Sequence, residues 1–248
     1  MHLIKRLLFK ILGLQKYLQT IRNIFFFSYN NGFLKNKEEY LVHYYIKNLI
    51  KKGDNIIDIG ANLGYYSKIF AQLTGKSGQV YSVEPVETFR KVLESSIKKH
   101  DNVKVLPYAL GVDDGKEIDM GLPLTSKYLS HGRTKIVDSQ PNDNYAFKFK
   151  ATMKHPNLLF SSIKKIDYIK CDIEGYEVVV IPAMKELIEK HTPTIQIETD
   201  GDNRKVIMDL LLTLGYKVFY VSRKGLEPYE LSHSGFTGDL IFIHQDKL

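Results

Sequence analysis

Residues 56–67 read Ile-Ile-Asp-Ile-Gly-Ala-Asn-Leu-Gly-Tyr-Tyr-Ser. The first four residues form a short, β-branched apolar run with one carboxylate, Asp58, which indicates a buried strand. A glycine-rich turn follows at residues 60–64, and beyond it apolar residues recur with the period of a helix. A strand, a glycine turn and a helix in this order are typical of the nucleotide-binding half of doubly wound α/β proteins. We therefore predict an open, mainly parallel α/β sheet with a ligand site at this turn.

The spacing of the glycines narrows the class of ligand. The turn matches neither the G-x-G-x-x-G fingerprint of dinucleotide sites nor a P-loop, which ends in Gly-Lys-Ser or Gly-Lys-Thr. Asp58 lies two residues before Gly60, and a carboxylate there suits a cationic or zwitterionic ligand better than a phosphate. S-adenosylmethionine (SAM) carries a sulfonium and an amino group and has that polarity. A tight turn without a ligand is the alternative interpretation of this stretch alone.

A second acidic residue lies at a suitable distance from the turn. Residues 79–85 read Gln-Val-Tyr-Ser-Val-Glu-Pro, an alternating strand that ends in Glu84. An acidic side chain about 20 residues after the glycine turn, at the end of the next strand, is placed to accept hydrogen bonds from both ribose hydroxyls. A solvated strand end is the alternative, and it is less plausible after the first motif.

Four motifs, taken in chain order, resemble those of the FkbM-type methyltransferases. They are the stretch quoted above, Val-Glu-Pro at 83–85, Ile-Lys-Cys-Asp-Ile-Glu-Gly-Tyr-Glu at 169–177 and Ile-Gln-Ile-Glu at 195–198. The resemblance covers roughly residues 50–220 and implies a SAM-dependent class I methyltransferase, usually an O-methyltransferase of sugars or other secondary-metabolite hydroxyls. It also implies a Rossmann-like fold, α/β and doubly wound, with a mainly parallel seven-stranded sheet and an antiparallel last strand. Residues 216–221 and 239–244 have the pattern of its closing antiparallel pair.

The resemblance further implies which residues bind the cofactor. They lie in the glycine turn, at the ends of the second and fourth strands, and after the third strand, where class I methyltransferases usually contact the adenine. Tyr108 is placed to stack on that ring, although a tyrosine here is equally often part of the core. The predicted cofactor-binding residues are Asp58, Gly60, Ala61, Asn62, Gly64, Tyr65, Glu84, Pro85, Tyr108, Ala109 and Asp172.

Three carboxylates are candidates for the chemistry of transfer. Asp172 and Glu174 belong to the end of the predicted fourth strand and point the same way because side chains alternate along a strand. Glu198 ends the neighbouring predicted strand, and the three together form a tentative site for Mg²⁺, Mn²⁺ or Ca²⁺, since hard cations take oxygen ligands. Without a metal, mutual repulsion raises one pKa and creates a general base, for which Asp172 and Glu174 are the catalytic candidates. In the alternative interpretation, Asp172 holds SAM or a backbone amide, and Glu174 caps the next helix.

An insertion at about residues 113–162 precedes the fourth strand. Residues 117–120 and 147–153 have the pattern of short strands, and a polar loop lies between them. Many relatives carry a Thr-Leu-Asp triplet before the fourth strand, whereas this chain has Ala-Thr-Met-Lys at 151–154, which indicates a divergent acceptor pocket. A long irregular insertion beside a cofactor site is often functional. Three histidines in loops near this edge are alternative bases: His131, His155 and His233.

The charge of the chain is distributed unevenly. The net charge is +7, and residues 1–53 carry 10 Lys and Arg against 2 Asp and Glu, whereas the remainder carries 25 against 26. A basic balance over the catalytic part would favour a nucleic-acid substrate, so we expect a small-molecule or glycan acceptor instead. The single cysteine, Cys171, excludes an intrachain disulfide and suits a reducing compartment. No run approaches the roughly 18 apolar residues that cross a bilayer, and we expect a cytoplasmic protein.

The N-terminal segment combines apolar positions at helical spacing with basic residues over residues 3–27. Such a helix is able to lie in a membrane interface, to pack on its own domain as a lid, or to form a homodimer contact. The membrane alternative places the protein peripherally on the inner face of the membrane through residues 1–27. A further helix is expected at residues 38–51. We therefore divide the chain into a basic helical segment, residues 1–52, and a methyltransferase domain, residues 53–248.

Two other functions compete with O-methylation. The net charge favours an RNA-modifying methyltransferase, but the positive charge is confined to the N-terminal segment. The Asn/Asp-Pro-Pro-aromatic motif used for methylation of base nitrogens is also absent after the fourth strand. A catalytically silent SAM-binding scaffold is the third candidate, and the intact carboxylate set argues weakly against it.

Overall fold

The computed structural model describes residues 2–123, 134–137, 145–199, 201–230 and 236–248, and it leaves the side chains of residues 2–8, 10 and 135 undescribed. The helices are α1 (His2–Asn30), α2 (Leu41–Tyr45), α3 (Tyr65–Thr74), α4 (Glu87–Ile97), α5 (Pro156–Leu159), α6 (Glu177–Ala183), α7 (Lys185–His191) and α8 (Gly201–Thr213). The strands are β1 (Asn55–Ile59), β2 (Gln79–Val83), β3 (Val103–Leu106), β4 (Tyr108–Leu110), β5 (Glu117–Pro123), β6 (Lys135–Ile136), β7 (Tyr145–Lys154), β8 (Tyr168–Cys171), β9 (Thr194–Glu198), β10 (Tyr216–Ser222), β11 (Gly225–Pro228) and β12 (Asp239–His244).

The main sheet has eight strands in the order β11-β10-β12-β9-β8-β1-β2-β3. The five strands from β9 to β3 are parallel, whereas β12 runs antiparallel to both of its neighbours, β9 and β10. This confirms the predicted doubly wound sheet with its closing antiparallel pair. The expected count of seven strands was wrong by one, because β11 forms a hairpin with β10 at the edge. Its four residues, Gly-Leu-Glu-Pro, are too short and too polar to be read as a strand from the sequence.

The strand order reverses between β1 and β8, and this reversal places the site. From β1 the chain continues to β2 and β3 on one side, while β8 and β9 extend the sheet on the other. Both central strands are buried almost throughout, as expected for parallel strands covered by helices on both faces. In open α/β sheets, ligands bind beyond the carboxyl ends of the strands at this switch point.

The insertion contributes a second sheet of four strands in the order β4-β7-β5-β6. The two short strands predicted at 117–120 and 147–153 lie within the longer β5 and β7, which pair antiparallel. Gly121 lies against the Tyr145 ring, since a Cβ atom at this position would fall 2.2 Å from a ring carbon. Part of the predicted polar loop, including residues 138–144, is outside the described residues. The second sheet supplies one wall of the cavity described below.

Helix α1 packs on the same body as the main sheet. Its course is interrupted at Gly13, whose φ of 68° and ψ of 170° are not helical. Tyr17 and Leu18 are buried in a cluster with residues of α4, such as Phe89. Arg22 is also buried, and its Nη1 donates to the Val92 carbonyl oxygen at 3.3 Å. This packing corresponds to the alternative in which the N-terminal helix covers its own domain.

The segment after α1 differs from the expected helix at residues 38–51. It is broken into two short 3₁₀ turns, at Glu38–Tyr40 and Ile46–Asn48, on either side of α2. Val42 and Ile46 are nevertheless buried in one apolar cluster with residues of α3. Within the described part of the chain, no helix has both the length and the apolar character needed to span a membrane.

Candidate active site

A cavity of about 220 Å³ lies at the carboxyl ends of β1, β2, β8 and β9, between the main sheet and the second sheet. Its floor comes from the residues that end these strands, and its far wall comes from β4, β5 and β6. Nine of the residues singled out from the sequence line it: Gly60, Asn62, Glu84, Pro85, Tyr108, Ala109, Asp172, Glu174 and Glu198. Motifs separated by more than 130 residues in the chain therefore meet in one place.

The glycine turn is held against β2 and β8. The backbone amides of Gly60 and Ala61 donate to the Val83 carbonyl oxygen at 3.1 and 3.0 Å. Gly60 has a φ of 76°, and a Cβ atom there would fall 1.9 Å from the carbonyl oxygen of Asp172. Glycine is therefore required by both the conformation and the close approach of β8.

Glu84 braces the turn from the end of β2. Its Oε2 accepts from the Asn62 amide at 2.9 Å, and its Oε1 accepts from the Val86 amide at 2.8 Å. Burial raises the pKa of Glu84 to about 7, although both amides act in the opposite direction. Each carboxylate oxygen has a second lone pair, so these contacts leave Glu84 able to bind a ligand hydroxyl from its place in the cavity wall.

The opposite end of the cavity carries Asp172 and Glu174 in an unusual backbone turn. Glu174 has a φ of 56°, a left-handed conformation that is uncommon for a non-glycine residue and often marks a functional site. Glu177 stabilises this turn, because its carboxylate accepts from the amides of Ile173 at 2.6 Å and Gly175 at 2.9 Å. Glu177, the first residue of α6, therefore holds in place the turn that precedes this helix.

Lys170 is the main site residue that the motif reading did not identify. Its side chain is 4% exposed, and its Nζ lies 2.8 Å from Oδ2 of Asp172. Burial acts to lower the pKa of Lys170, but the surrounding carboxylates of Asp172, Asp58 and Asp239 raise it above its ordinary value. The ammonium group therefore stays charged. A signal was present in the sequence, since Lys170 precedes Asp172 by two residues and so shares its side of the strand.

A polar network continues from Lys170 beneath the sheet edge. Oδ2 of Asp239 accepts from the Tyr66 hydroxyl at 3.2 Å and from Nε2 of Gln196 at 2.7 Å. His43, which stacks on the Tyr66 ring, brings the N-terminal segment into this network. Burial and then the charge of Lys170 lower the pKa of His43 to about 3, so its imidazole is neutral. These residues lie behind the strand ends that form the site, and none of them lines the cavity.

Glu198 has the most perturbed carboxyl group of the cavity wall. It is exposed, but the surface that it exposes faces the cavity and other protein groups surround it. Burial, followed by the negative charges of Asp172 and Asp239, raises the pKa of Glu198 to about 8. Once ionised, a carboxylate with this pKa is a stronger base than an ordinary glutamate.

The tentative metal triad is not formed. Among the described residues, no group of three or more His, Cys, Asp or Glu side chains is arranged to hold a metal ion, and this includes Asp172, Glu174 and Glu198. The physical reason is that the Lys170 ammonium already occupies the cationic position beside Asp172. The donor set therefore does not fit a divalent cation, and we derive no step through a metal.

Four predicted cofactor residues lie behind the cavity wall rather than in it. Asp58 is fully buried, and its Oδ2 accepts from the Ser67 hydroxyl at 2.6 Å. Ala61 and Gly64 instead pack against α4, and the Tyr65 ring lies 4.6 Å from that of Phe25 in α1. None of the four lines the cavity, so their assignment as cofactor-binding residues stays a prediction.

Of the three candidate histidines, His155 is the one that the structure describes. His155 is the N-cap of α5, where its Nδ1 accepts from the Asn157 amide at 3.3 Å. It is not among the residues that line the cavity. His131 and His233 fall outside the described residues.

The cavity fits SAM in the chemistry of its lining. Apolar side chains of Phe89, Met120 and Ile136 line the same cavity as Tyr108, which suits a flat adenine ring. Glu84 offers acceptors for hydroxyls, and carboxylates at the other end favour the positive charge of a sulfonium. The described lining therefore matches a ligand that is apolar, hydroxylated and cationic in different parts.

The sequence of this chain is similar to those of known methyltransferases. Protein-L-isoaspartate O-methyltransferases from Methanococcus aeolicus and Methanocella arvoryzae are 37% and 36% identical over 59 and 95 residues, which are 23% and 38% of this chain. The chain spans only 27% and 45% of the length of these two relatives.

Two solved structures share the fold. The methyltransferase FkbM of Methylobacillus flagellatus superposes with a TM-score of 0.50 and 14% identity, over 81% of this chain and 50% of that one. A putative rRNA methylase of Clostridium thermocellum gives a TM-score of 0.51 and 14% identity, over 84% and 94%. Finally, residues 58–218 match the methyltransferase FkbM domain. Because this match spans more than half of the chain, the protein belongs to the FkbM methyltransferase family.

Proposed function

We propose that this protein is an O-methyltransferase whose acceptor is a hydroxyl group of a neutral, polyhydroxylated molecule such as a sugar or glycan. The observation that carries the proposal is the charge of the cavity wall. Its described lining residues include four carboxylates, Glu84, Asp172, Glu174 and Glu198, and no Lys, Arg or His. Such a wall accepts hydrogen bonds from neutral hydroxyl groups and offers no described cation to pair with an anionic acceptor.

This charge disfavours the acceptors named for some of the similar proteins. An isoaspartyl carboxylate or an rRNA phosphate would bring negative charge towards Asp172, Glu174 and Glu198. No cationic side chain in the described wall is present to pair with it. A neutral hydroxyl brings no charge and offers a hydrogen that a carboxylate accepts. The wall therefore supports a neutral acceptor over both anionic classes.

The residues of the chain divide the work of transfer between two ends of the cavity. When bound, SAM supplies a methyl group activated by its sulfonium sulfur. Glu84 and Tyr108 would hold the nucleoside part at one end, while Asp172 and Glu174 orient the acceptor hydroxyl at the other. Holding two reactants in this way corresponds to effective molarities of about 10⁵ M or more.

We assign the role of general base to Glu198 rather than to Asp172. The Asp172 carboxylate is already engaged by the Lys170 ammonium, whose Nζ lies 2.8 Å from Oδ2 of Asp172. Burial and the negative charges of Asp172 and Asp239 raise the pKa of Glu198 more than the Lys170 ammonium lowers it, which makes the ionised Glu198 a stronger base. As the acceptor oxygen takes the methyl group, its proton passes to Glu198. Base catalysis of this kind contributes about 10²- to 10⁴-fold.

The test is methyl transfer from methyl-labelled SAM to three acceptor classes. These are neutral mono- and oligosaccharides, peptides that contain isoaspartate, and RNA. We expect label in the saccharides, in a form that resists mild alkali, because methyl ethers are stable under conditions that hydrolyse methyl esters. Label in alkali-labile esters or in RNA contradicts the proposal.

Glu198→Gln tests the role of the base in the same assay. It keeps the shape of the side chain but removes the base, so we expect saccharide methylation to fall by about 10²- to 10⁴-fold. S-adenosylhomocysteine binding, measured by isothermal titration, should stay within about threefold of wild type, since Glu198 lies at the acceptor end. Loss of cofactor binding in this variant would show that Glu198 serves the cofactor site instead.

A further inference from the structure

The outer face of α1 exposes large apolar side chains. Phe27 is 64% exposed, Ile24 is 54% exposed, and Phe33, just after the helix, is 66% exposed. The rings of Phe27 and Phe33 lie 6.2 Å apart and form one patch. Exposing three such side chains together has a cost in water, and patches of this kind often mark interaction sites.

The apolar patch lies on the face of α1 that points away from its own domain. The inner face already packs, with Tyr17 and Leu18 buried against α4 and Phe26 buried against α3. Arg22 is also directed inward, where its guanidinium binds the Val92 carbonyl oxygen and the Ser95 hydroxyl. The exposed residues therefore belong to the opposite side of a docked helix.

Exposed lysines lie along the same helix as the apolar patch and in the segment that follows it. Lys16 is exposed and lies three turns before Phe27 on the same side of the helix, given 3.6 residues per turn. Lys35 and Lys37 are exposed in the segment that follows Phe33. Residues 1–53, which include the patch and these lysines, hold the excess positive charge of the chain. They carry 10 Lys and Arg against 2 Asp and Glu.

We propose that this outer face, made of Ile24, Phe27 and Phe33 with Lys16, Lys35 and Lys37, docks the protein peripherally on an anionic lipid bilayer. Bulky apolar side chains enter the boundary between headgroups and acyl chains, while lysines bind anionic headgroups. The charges favour this occupant over a second copy of the chain, because a two-fold contact would bring two lysine-rich faces together. The inference does not depend on the identity of the methyl acceptor.

Flotation of the full-length protein with vesicles tests the proposal. We expect binding to vesicles of equal parts phosphatidylcholine and phosphatidylglycerol, and little binding to phosphatidylcholine alone. Replacing both aromatic residues, Phe27→Ser with Phe33→Ser, should lower the partition coefficient at least about tenfold. Lys35→Gln with Lys37→Gln should also lower it about tenfold, and added salt should have less effect on that variant than on wild type.

Matched controls carry the same changes elsewhere. Val206→Ser with Leu212→Ser removes two exposed apolar residues from α8, and Lys98→Gln with Lys99→Gln removes two exposed lysines after α4. Both controls should bind vesicles as wild type does.

Wild-type protein that fails to float with anionic vesicles overturns the proposal. So does a wild-type dimer that Phe27→Ser with Phe33→Ser converts to a monomer, which would assign the face to a second copy. RNA binding that these aromatic changes abolish, without vesicle binding, would assign it to nucleic acid.

Discussion

Glu198 illustrates how neighbours change one side chain into a base. The ordinary pKa of 4.5 is raised to about 8, first by burial and then by Asp172 and Asp239. Only the ionised carboxylate accepts a proton, so activity requires a pH at which Glu198 has lost its own. We therefore expect kcat/KM to rise about tenfold per pH unit on the acid side and to bend near this pKa. A pH profile of kcat/KM measures it.

Two variants separate Glu198 from other groups in that profile. Glu198→Gln should remove the bend, whereas Glu189→Gln, an exposed change on α7, should keep it. Glu84 has a pKa of about 7. A bend in the profile that Glu84 causes through cofactor binding should therefore lie at a lower pH than that of Glu198, and it should still be present in Glu198→Gln. A bend near pH 8 that persists in Glu198→Gln would transfer the role of base to another residue.

At the scale of elements, the glycine turn between β1 and α3 connects the cofactor end with the acceptor end. Gly60 touches the backbone of Asp172, so the turn and the end of β8 are positioned together. Gly115 is a useful comparison, because its φ of 80° resembles the 76° of Gly60 but nothing lies within 4 Å of a Cβ atom there. The two glycines separate backbone strain from steric contact.

We expect Gly115→Ala to lower the free energy of unfolding by about 1–2 kcal/mol, the cost of a left-handed alanine. Gly60→Ala should cost more, because its methyl group also displaces Asp172, and it should abolish S-adenosylhomocysteine binding. Urea unfolding and isothermal titration measure the two effects. Equal costs for both variants, with cofactor binding intact in Gly60→Ala, would mean that the close approach to β8 is not needed.

The elements also differ in how well the sequence predicts them. The strand, turn and helix around Gly60 were predicted correctly because their residues agree locally in pattern and in backbone needs. The helix expected at residues 38–51 has the correct apolar period, but the structure breaks it into short turns. Tyr65 is a second example. Its position beside Gly64 led to the prediction that it binds the cofactor, whereas in the folded chain its ring packs against Phe25.

At the scale of the whole molecule, Lys170 connects carboxylates from distant parts of the chain. Asp58, Asp172 and Asp239 come from β1, from the end of β8 and from β12, and all three act on its charge. Lys170→Met removes the cation and leaves Asp172 without its partner at 2.8 Å. Removing one member of a buried ion pair costs about 3–5 kcal/mol, and we expect a loss near the lower end because Asp172 is partly exposed.

Lys165→Met is the matched control. Its Nζ lies 2.6 Å from Oδ1 of Asp167, but the Lys165 side chain is 70% exposed. Asp167 is 13% exposed, but it keeps the Asn55 amide as a hydrogen-bond donor at 2.9 Å when Lys165 is replaced. The cost should therefore be smaller than that of Lys170→Met. Chemical denaturation of both variants measures the difference. Equal costs would mean that the network around Lys170 is as well solvated as the surface pair.

The sequence by itself determined the class of fold, the cofactor and the strand ends that carry the site. It could do so because glycine turns, buried strands and acidic strand ends are set by residues close together in the chain. Tertiary structure alone decided that Lys170 pairs with Asp172, that burial and two aspartates raise the pKa of Glu198, and that α1 packs on its own domain. Each of these depends on charges or surfaces that meet only after folding, from residues as far apart as Asp58 and Asp239.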